Sequence, residues 1–319
     1  EKALAIESVA VLGAGTMGHA LALVHALGGC HVSLYDSNSK VLARAPSLIE
    51  AALATLQEAG VESTMAAAEA TNRITFVDTL VGAVQAADLV VEAVPEDPEV
   101  KREVFAQIEA HLPEAAILAS NTSYLDVFPL IPAGRQLRAA VAHWYTPPYI
   151  VDLVDLAPGP KTDCDVIPKL RALYEGFGKT PVVFETLVPG YVANRLQAAL
   201  NLECLRMIDE GWATAEMIDL SIRQGLVHRL AVLGHMQKMD FTGLRMVRKG
   251  IAGGSYQPPK NTGKTPVLDR LIAAGRSGVR SGAGFFDYGN TSVEKLFHAR
   301  DLKLLRLKSH IEDLKDDDR

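Results

Sequence analysis

Along the first half of the chain, short apolar runs alternate with longer stretches in which apolar residues recur every three to four positions. That alternation predicts strand, helix, strand, helix. Residues 9–13 form an apolar run ending in glycine, and the helical stretch behind it stops at Gly28-Gly29, a natural helix terminus. Further strands are predicted over 31–36, 74–77, 89–94, 116–120, 138–143, 151–157 and 181–185. Residues 40–59 read as a long helix, bent or started late by Pro46, with a second helical piece over 62–70 after Gly60. Asp97-Pro98 opens another helix, with aspartate as N-cap and proline in the first turn, where a missing N–H is harmless. Strands separated by helices imply a mostly parallel sheet covered on both faces.

The pattern changes after Glu185. From 189 to 249 one helical stretch follows another with no convincing strand, and 293–314 is helical again, with leucines at 296, 302, 304, 305 and 307. Residues 252–265, with paired glycines and paired prolines, read as an exposed loop. Val188-Pro189-Gly190 is therefore the expected hinge between two domains, 1–187 and 188–319. A length of 319 residues accommodates two. The second domain is expected to be all-helical, to shape a substrate cleft and to carry a homodimer interface.

Composition narrows the function. A net charge of −6 argues against nucleic acid or an anionic membrane as partner. No apolar run approaches the ~18 residues of a membrane span. Cys30, Cys164 and Cys204 are scattered, so neither a disulfide framework nor a metal site is expected; buried free thiols are. No basic-then-apolar leader opens the chain, and a cytoplasmic protein is expected.

Gly13-Ala14-Gly15-Thr16-Met17-Gly18 is a G-x-G-x-x-G that follows a strand and opens a helix. Gly13 permits the tight turn, Gly15 lets backbone approach a pyrophosphate, and Gly18 lets helix and strand pack closely. Thr16 and Met17 begin the helix whose free N–H groups face the anion. Asp36, at the end of the next strand, is placed to accept the ribose hydroxyls of NAD and would repel the 2′-phosphate of NADP. A Rossmann-type α/β domain binding NAD is the expectation.

Several further motifs resemble, in order and over nearly the whole chain, those of the 3-hydroxyacyl-CoA dehydrogenases. They are Val91-Glu92-Ala93-Val94-Pro95-Glu96 with Lys101, Ser120-Asn121-Thr122-Ser123, His143-Trp144-Tyr145-Thr146-Pro147-Pro148, Pro189-Gly190-Tyr191-Val192-Ala193-Asn194-Arg195-Leu196 and the glycine-aromatic run 282–288. The resemblance implies hydride transfer between NAD and a secondary alcohol or ketone. His143 is its general base, a role that suits a side chain titrating near neutrality. Ser123 and Asn194 hydrogen-bond the reacting oxygen, and Glu96, Lys101 and Asn121 lie by the cofactor. The partner of the histidine in that family is a glutamate twelve positions on; here it is Asp155, with Asp152 as an alternative on the opposite strand face.

Three departures concern the substrate. Tyr124 and Thr146 replace a serine and an asparagine, and residues 46–72 contain no Lys or Arg with which to hold the phosphates of CoA. The His-Trp-x-x-Pro-Pro run and Gly225-Leu226-Val227-His228-Arg229 look more like the non-CoA branches, which include lambda-crystallin, carnitine dehydrogenase and the pyridine-carboxylate dehydrogenase of vitamin B6 breakdown. A small carboxylated hydroxy acid is therefore the expected substrate, and Arg229, in a glycine-preceded break between helices, its expected anchor. An acyl-CoA dehydrogenase and a non-enzymatic crystallin-like or NAD-sensing protein are the alternatives.

Overall fold

The computed structural model describes residues 6–61 and 67–316. Eight strands form one sheet: β1 (Ser8–Leu12), β2 (His31–Tyr35), β3 (Ile74–Val77), β4 (Leu89–Glu92), β5 (Ile117–Ser120), β6 (Ala139–Trp144), β7 (Leu153–Pro158) and β8 (Thr180–Val183). Their order is β3-β2-β1-β4-β5-β6-β7-β8. Every pairing is parallel except β6 with β7. The central strands β4, β5 and β6 are buried throughout, as a sheet covered on both faces requires.

Alternation distributes each strand between two cores. Val9, Val11, Ala140, Ala142, Trp144, Val154 and Leu156 join one cluster, with α1 (Gly18–Leu27) and α6 (Val166–Gly176) over it. Ala10, Leu12, Val141 and Ala157 join the other, with Phe105 and Ile108 of α5 (Pro98–Glu109) and with Tyr191. The parity puts His143 and Asp155 on the Tyr191 side.

Local signals held well. Asp97 Oδ1 accepts the N–H groups of Glu99 and Val100 at 2.9 and 3.0 Å, with Pro98 in the first turn. The long helix α2 (Ser39–Glu58) starts from an Asn38 cap and runs on through Pro46, so the proline marks no later start. Of the piece expected over 62–70, residues 62–66 lie outside the described ones, and α3 (Ala67–Asn72) follows. The short α4 (Leu80–Val84), as well as α6, escaped the sequence reading. Among the thiols only Cys30 is buried; Cys164 is exposed and Cys204 partly so, which corrects the expectation of three buried cysteines.

The chain divides into two compact units after Tyr191. The expected hinge is fastened to the first of them: Gly190 N–H donates to Ser123 O and Tyr191 Oη to Thr122 O, each at 2.9 Å. The second unit is helical: α7 (Ala193–Asp209), α8 (Ala215–Ser221), α9 (His228–Thr242), α10 (Leu244–Ala252), α11 (Pro266–Ala273) and α12 (Val293–Asp316). Between α8 and α9 there is no break at Gly225. The chain passes through a π-helical turn, Ile222–Val227, and the kink comes later, at Gly234. Among the described residues no helix is long and apolar enough to cross a membrane, and no group of three His, Cys, Asp or Glu side chains is placed to hold a metal ion.

Candidate active site

The glycine loop joins β1 to α1 at the carboxyl edge of the sheet, where α/β folds bind their ligands. Gly13 has φ +95°, and a Cβ there would lie 2.6 Å from Ala93 O. A Cβ on Gly18 would lie 1.6 Å from Gly13 O, so helix and loop meet in a gap only glycine leaves. Around Gly15 nothing stands within 4 Å of such a carbon; Gly15 and Thr16 are exposed and Met17 is half-buried. The cradle is open where a pyrophosphate needs it. Asp36 shapes the loop as well as bordering it: Oδ2 accepts Ala14 N–H at 2.8 Å and Oδ1 accepts Asn38 N–H at 2.7 Å. These features fit NAD.

His143 lies near the end of β6, buried to 4% exposure. The antiparallel register sets Asp155 directly opposite it on β7, which brings the two side chains together on one face. Asp155 Oδ2 is 3.3 Å from Nδ1 of the imidazole, and Ser123 Oγ is 3.3 Å from Nε2. With a carboxylate on Nδ1, that nitrogen carries the hydrogen and Nε2 is left as the acceptor. Asp152 is engaged elsewhere, accepting from Lys179 Nζ at 3.1 Å.

Two aromatic rings complete the pocket of the imidazole. Tyr191 stacks on it with centroids 4.8 Å apart and planes 24° from parallel. Tyr145 meets it edge to face at 4.7 Å, and its hydroxyl donates to Asp155 Oδ2 at 2.6 Å. Neither tyrosine was given a role by the sequence reading. The signal for Tyr145 was present, since a residue two positions past His143 leaves the strand on the same face.

The Ser123 loop is held by Glu96. Its Oε1 accepts Thr122 Oγ1 at 2.6 Å, Ser123 N–H at 2.8 Å and Tyr124 N–H at 3.1 Å. Partial burial pushes the Glu96 carboxyl upward in pKa, but those hydrogen bonds and the charge of Lys101 outweigh it and leave it below the usual carboxylate range. Lys101 itself is buried, its Nζ 2.6 Å from Glu92 Oε1 and 3.3 Å from Glu96 Oε2. Glu92 also accepts Ser120 Oγ at 2.5 Å. Asn121 Oδ1 accepts Trp144 N–H at 2.8 Å, tying the ends of β5 and β6. Thr146 Oγ1 lies 2.9 Å from Met17 Sδ of the glycine loop.

Two expected site residues belong to the second unit. Asn194 sits in the first turn of α7, half-buried. Arg229 is exposed at the start of α9, where its Nε donates to Gly225 O at 2.8 Å. With His228, Val232, Lys238 and Phe241 it lines an open surface hollow of about 480 Å³.

A dinucleotide cradle, with a buried histidine between a carboxylate and a hydroxyl, defines an NAD-dependent dehydrogenase acting on CH–OH groups. Residues 8–187 match the 3-hydroxyacyl-CoA dehydrogenase NAD binding domain, and residues 190–288 match the 3-hydroxyacyl-CoA dehydrogenase C-terminal domain. The chain belongs to the 3-hydroxyacyl-CoA dehydrogenase family. It is 29% identical to 5-formyl-3-hydroxy-2-methylpyridine 4-carboxylate 5-dehydrogenase of Mesorhizobium japonicum, over 96% of this chain and 99% of that one. It is 35% identical to L-carnitine dehydrogenase of Streptomyces coelicolor, over 75% and 74% respectively. It is 32% identical to the human lambda-crystallin homolog, over 72% and 73%. The crystal structure of a 5-formyl-3-hydroxy-2-methylpyridine 4-carboxylic acid 5-dehydrogenase, described as an NAD+ dependent dismutase, superposes with a TM-score of 0.86 over 96% of this chain and 99% of that one, at 29% identity.

Proposed function

We propose that this dehydrogenase acts on a small carboxylated hydroxy acid, with His143 as general base. The observation that carries the reading is the imidazole held at both nitrogens, by Asp155 and by Ser123. When bound, NAD supplies the hydride acceptor. His143 Nε2 takes the hydroxyl proton, Asp155 orients the ring and balances the imidazolium, and the Ser123 hydroxyl hydrogen-bonds the oxygen as it gains charge. Asn194 is the second donor to that oxygen by resemblance to the family. Asp36 opposes the extra phosphate of NADP. Glu96, Lys101 and Asn121 act toward the cofactor side by ordering the loop that carries Ser123. Replacing His143 by Gln should lower turnover by ~10²–10⁴-fold while a fluorescence titration still finds NAD binding; turnover within a few-fold of the parent would refute the mechanism.

The substrate class is supported by the missing basic residues over 46–72 and by relatives whose names specify a pyridine carboxylate and carnitine. Arg229 is the proposed carboxylate anchor. Its Nη atoms have no hydrogen-bond partner among the described residues, and π-helical turns such as the one before it recur at functional sites. A guanidinium offers a carboxylate two parallel donors. Arg229→Met should raise KM for a hydroxy-acid substrate at least tenfold with NAD affinity unchanged. Turnover of a short acyl-CoA in preference to any free acid, indifferent to Arg229, would replace this reading with that of an acyl-CoA dehydrogenase. We also propose a homodimer, formed through the apolar faces of the second unit.

A further inference from the structure

Two donors converge on one carboxylate oxygen. Asp155 Oδ2 receives the Tyr145 hydroxyl at 2.6 Å, and the same atom lies 3.3 Å from His143 Nδ1. The short contact belongs to the tyrosine; the histidine holds the carboxylate at the outer edge of hydrogen-bonding range. Asp155 is 1% exposed, so water does not share the task of solvating it. Tyr145 is restrained in turn, its ring 4.7 Å from the imidazole and 79° to its plane. A hydroxyl so placed does two things: it fixes the rotamer of the aspartate, and it draws part of the carboxylate charge toward itself.

We infer that Tyr145 is a positioning residue for the His143 base, clamping Asp155 so that the carboxylate orients the imidazole without binding its proton too tightly to release. The inference rests on His143 being the base. The other groups around the ring leave this role to Tyr145. Tyr191 stacks on the imidazole from the segment before α7, but its hydroxyl donates to Thr122 O. Burial, with the negative charges of Asp155 and Glu96, pushes that phenol far above the usual tyrosine range, so it remains neutral. From the loop after β5, Ser123 brings only a hydroxyl. Glu96 lies behind that loop with its charge opposed by Lys101. Among the described residues Asp155 is thus the carboxylate in contact with the imidazole, and Tyr145 is the group that moderates it.

Tyr145→Phe removes one oxygen and keeps the ring. The His143 Cε1–H resonance, assigned by its loss in His143→Gln, is followed against pH in the protein without substrate. Freed from the tyrosine, Asp155 stabilises the imidazolium more strongly, so the midpoint should rise by about half to one pH unit. The low-pH limb of the oxidation rate should move up with it, while NAD affinity stays at the parental value and the melting temperature falls by only the few degrees that one lost buried hydrogen bond costs. In an Asp155→Asn background the same replacement should produce no further shift. An unmoved midpoint would overturn the inference. So would a loss of turnover equal at every pH, which marks a merely structural tyrosine. Should His143→Gln prove active, the reading of the base fails separately, and the resonance still reports whether Tyr145 governs the pair.

Discussion

At the scale of single residues, the two glycines that close the cofactor loop do different work, and the difference is testable. Gly18 is required by the protein itself, because a methyl group there runs into the carbonyl of Gly13 at 1.6 Å. At Gly15 the packing of the protein demands no glycine, since a methyl there meets nothing within 4 Å, and its proposed role lies with the ligand. Gly18→Ala should therefore destabilise the first unit by several kcal/mol, in the manner of an overpacked core. Gly15→Ala should melt like the parent yet bind NAD at least tenfold more weakly. Thermal melts paired with NAD titrations check both; equal behaviour of the two variants would contradict the assignment. Lys101 has a structural duty as well. The residue expected beside the cofactor has its ammonium buried against Glu92 and Glu96. Lys101→Met strands the Glu92 carboxylate and should cost on the order of 3–5 kcal/mol of stability, measured by urea unfolding; a loss below 1 kcal/mol would mean that the pair is dispensable.

At the scale of elements, the packing of α1 against the sheet contains a titratable group with no catalytic duty. His25 is fully buried among Trp144, Tyr174 and Phe177, its Nδ1–H donating to Leu21 O at 2.8 Å while Nε2 has no partner among the described residues. Burial pushes its pKa down to about 4 from 6.5. The folded value lies below the unfolded one, so below pH 6.5 the unfolded chain takes the proton first. The neutral ring's contribution is whole above that pH and is lost as pH falls toward 4, amounting to on the order of 3 kcal/mol. Melting curves between pH 7 and 4 should fall more steeply for the parent than for His25→Phe. Parallel curves would show that His25 does not set the acid limit.

At the scale of the whole molecule, the helices of the second unit carry several large apolar side chains that are exposed. Helices α7, α9 and α10 contain no buried residue, while Met236, Phe241 and Ile251 are 71%, 76% and 78% exposed. These exposed apolar side chains are what motivates the proposed homodimer. Light scattering at micromolar concentration should give twice the 34.3 kDa chain mass, and Phe241→Glu with Ile251→Glu should return it to the monomer. A parental monomer would remove the proposed dimer.

The chain order itself determined the alternating elements, the glycine loop with its acidic companion Asp36, the change to helices after Glu185 and the position of His143 near a strand end. Each depends on dihedral preferences and periodicity among near neighbours, which a linear chain displays directly. Tertiary structure decided which side chains meet. The antiparallel turn of β7 against β6 set Asp155, not Asp152, opposite His143. It also brought Tyr145 onto the same carboxylate oxygen, and the packing of the inner core buried Lys101 between two glutamates. Tyr191, 48 positions beyond His143, became the floor of its pocket. Such partners come from strand register and core packing between segments remote in sequence. No local propensity encodes those contacts, because their energy exists only once the segments are packed together.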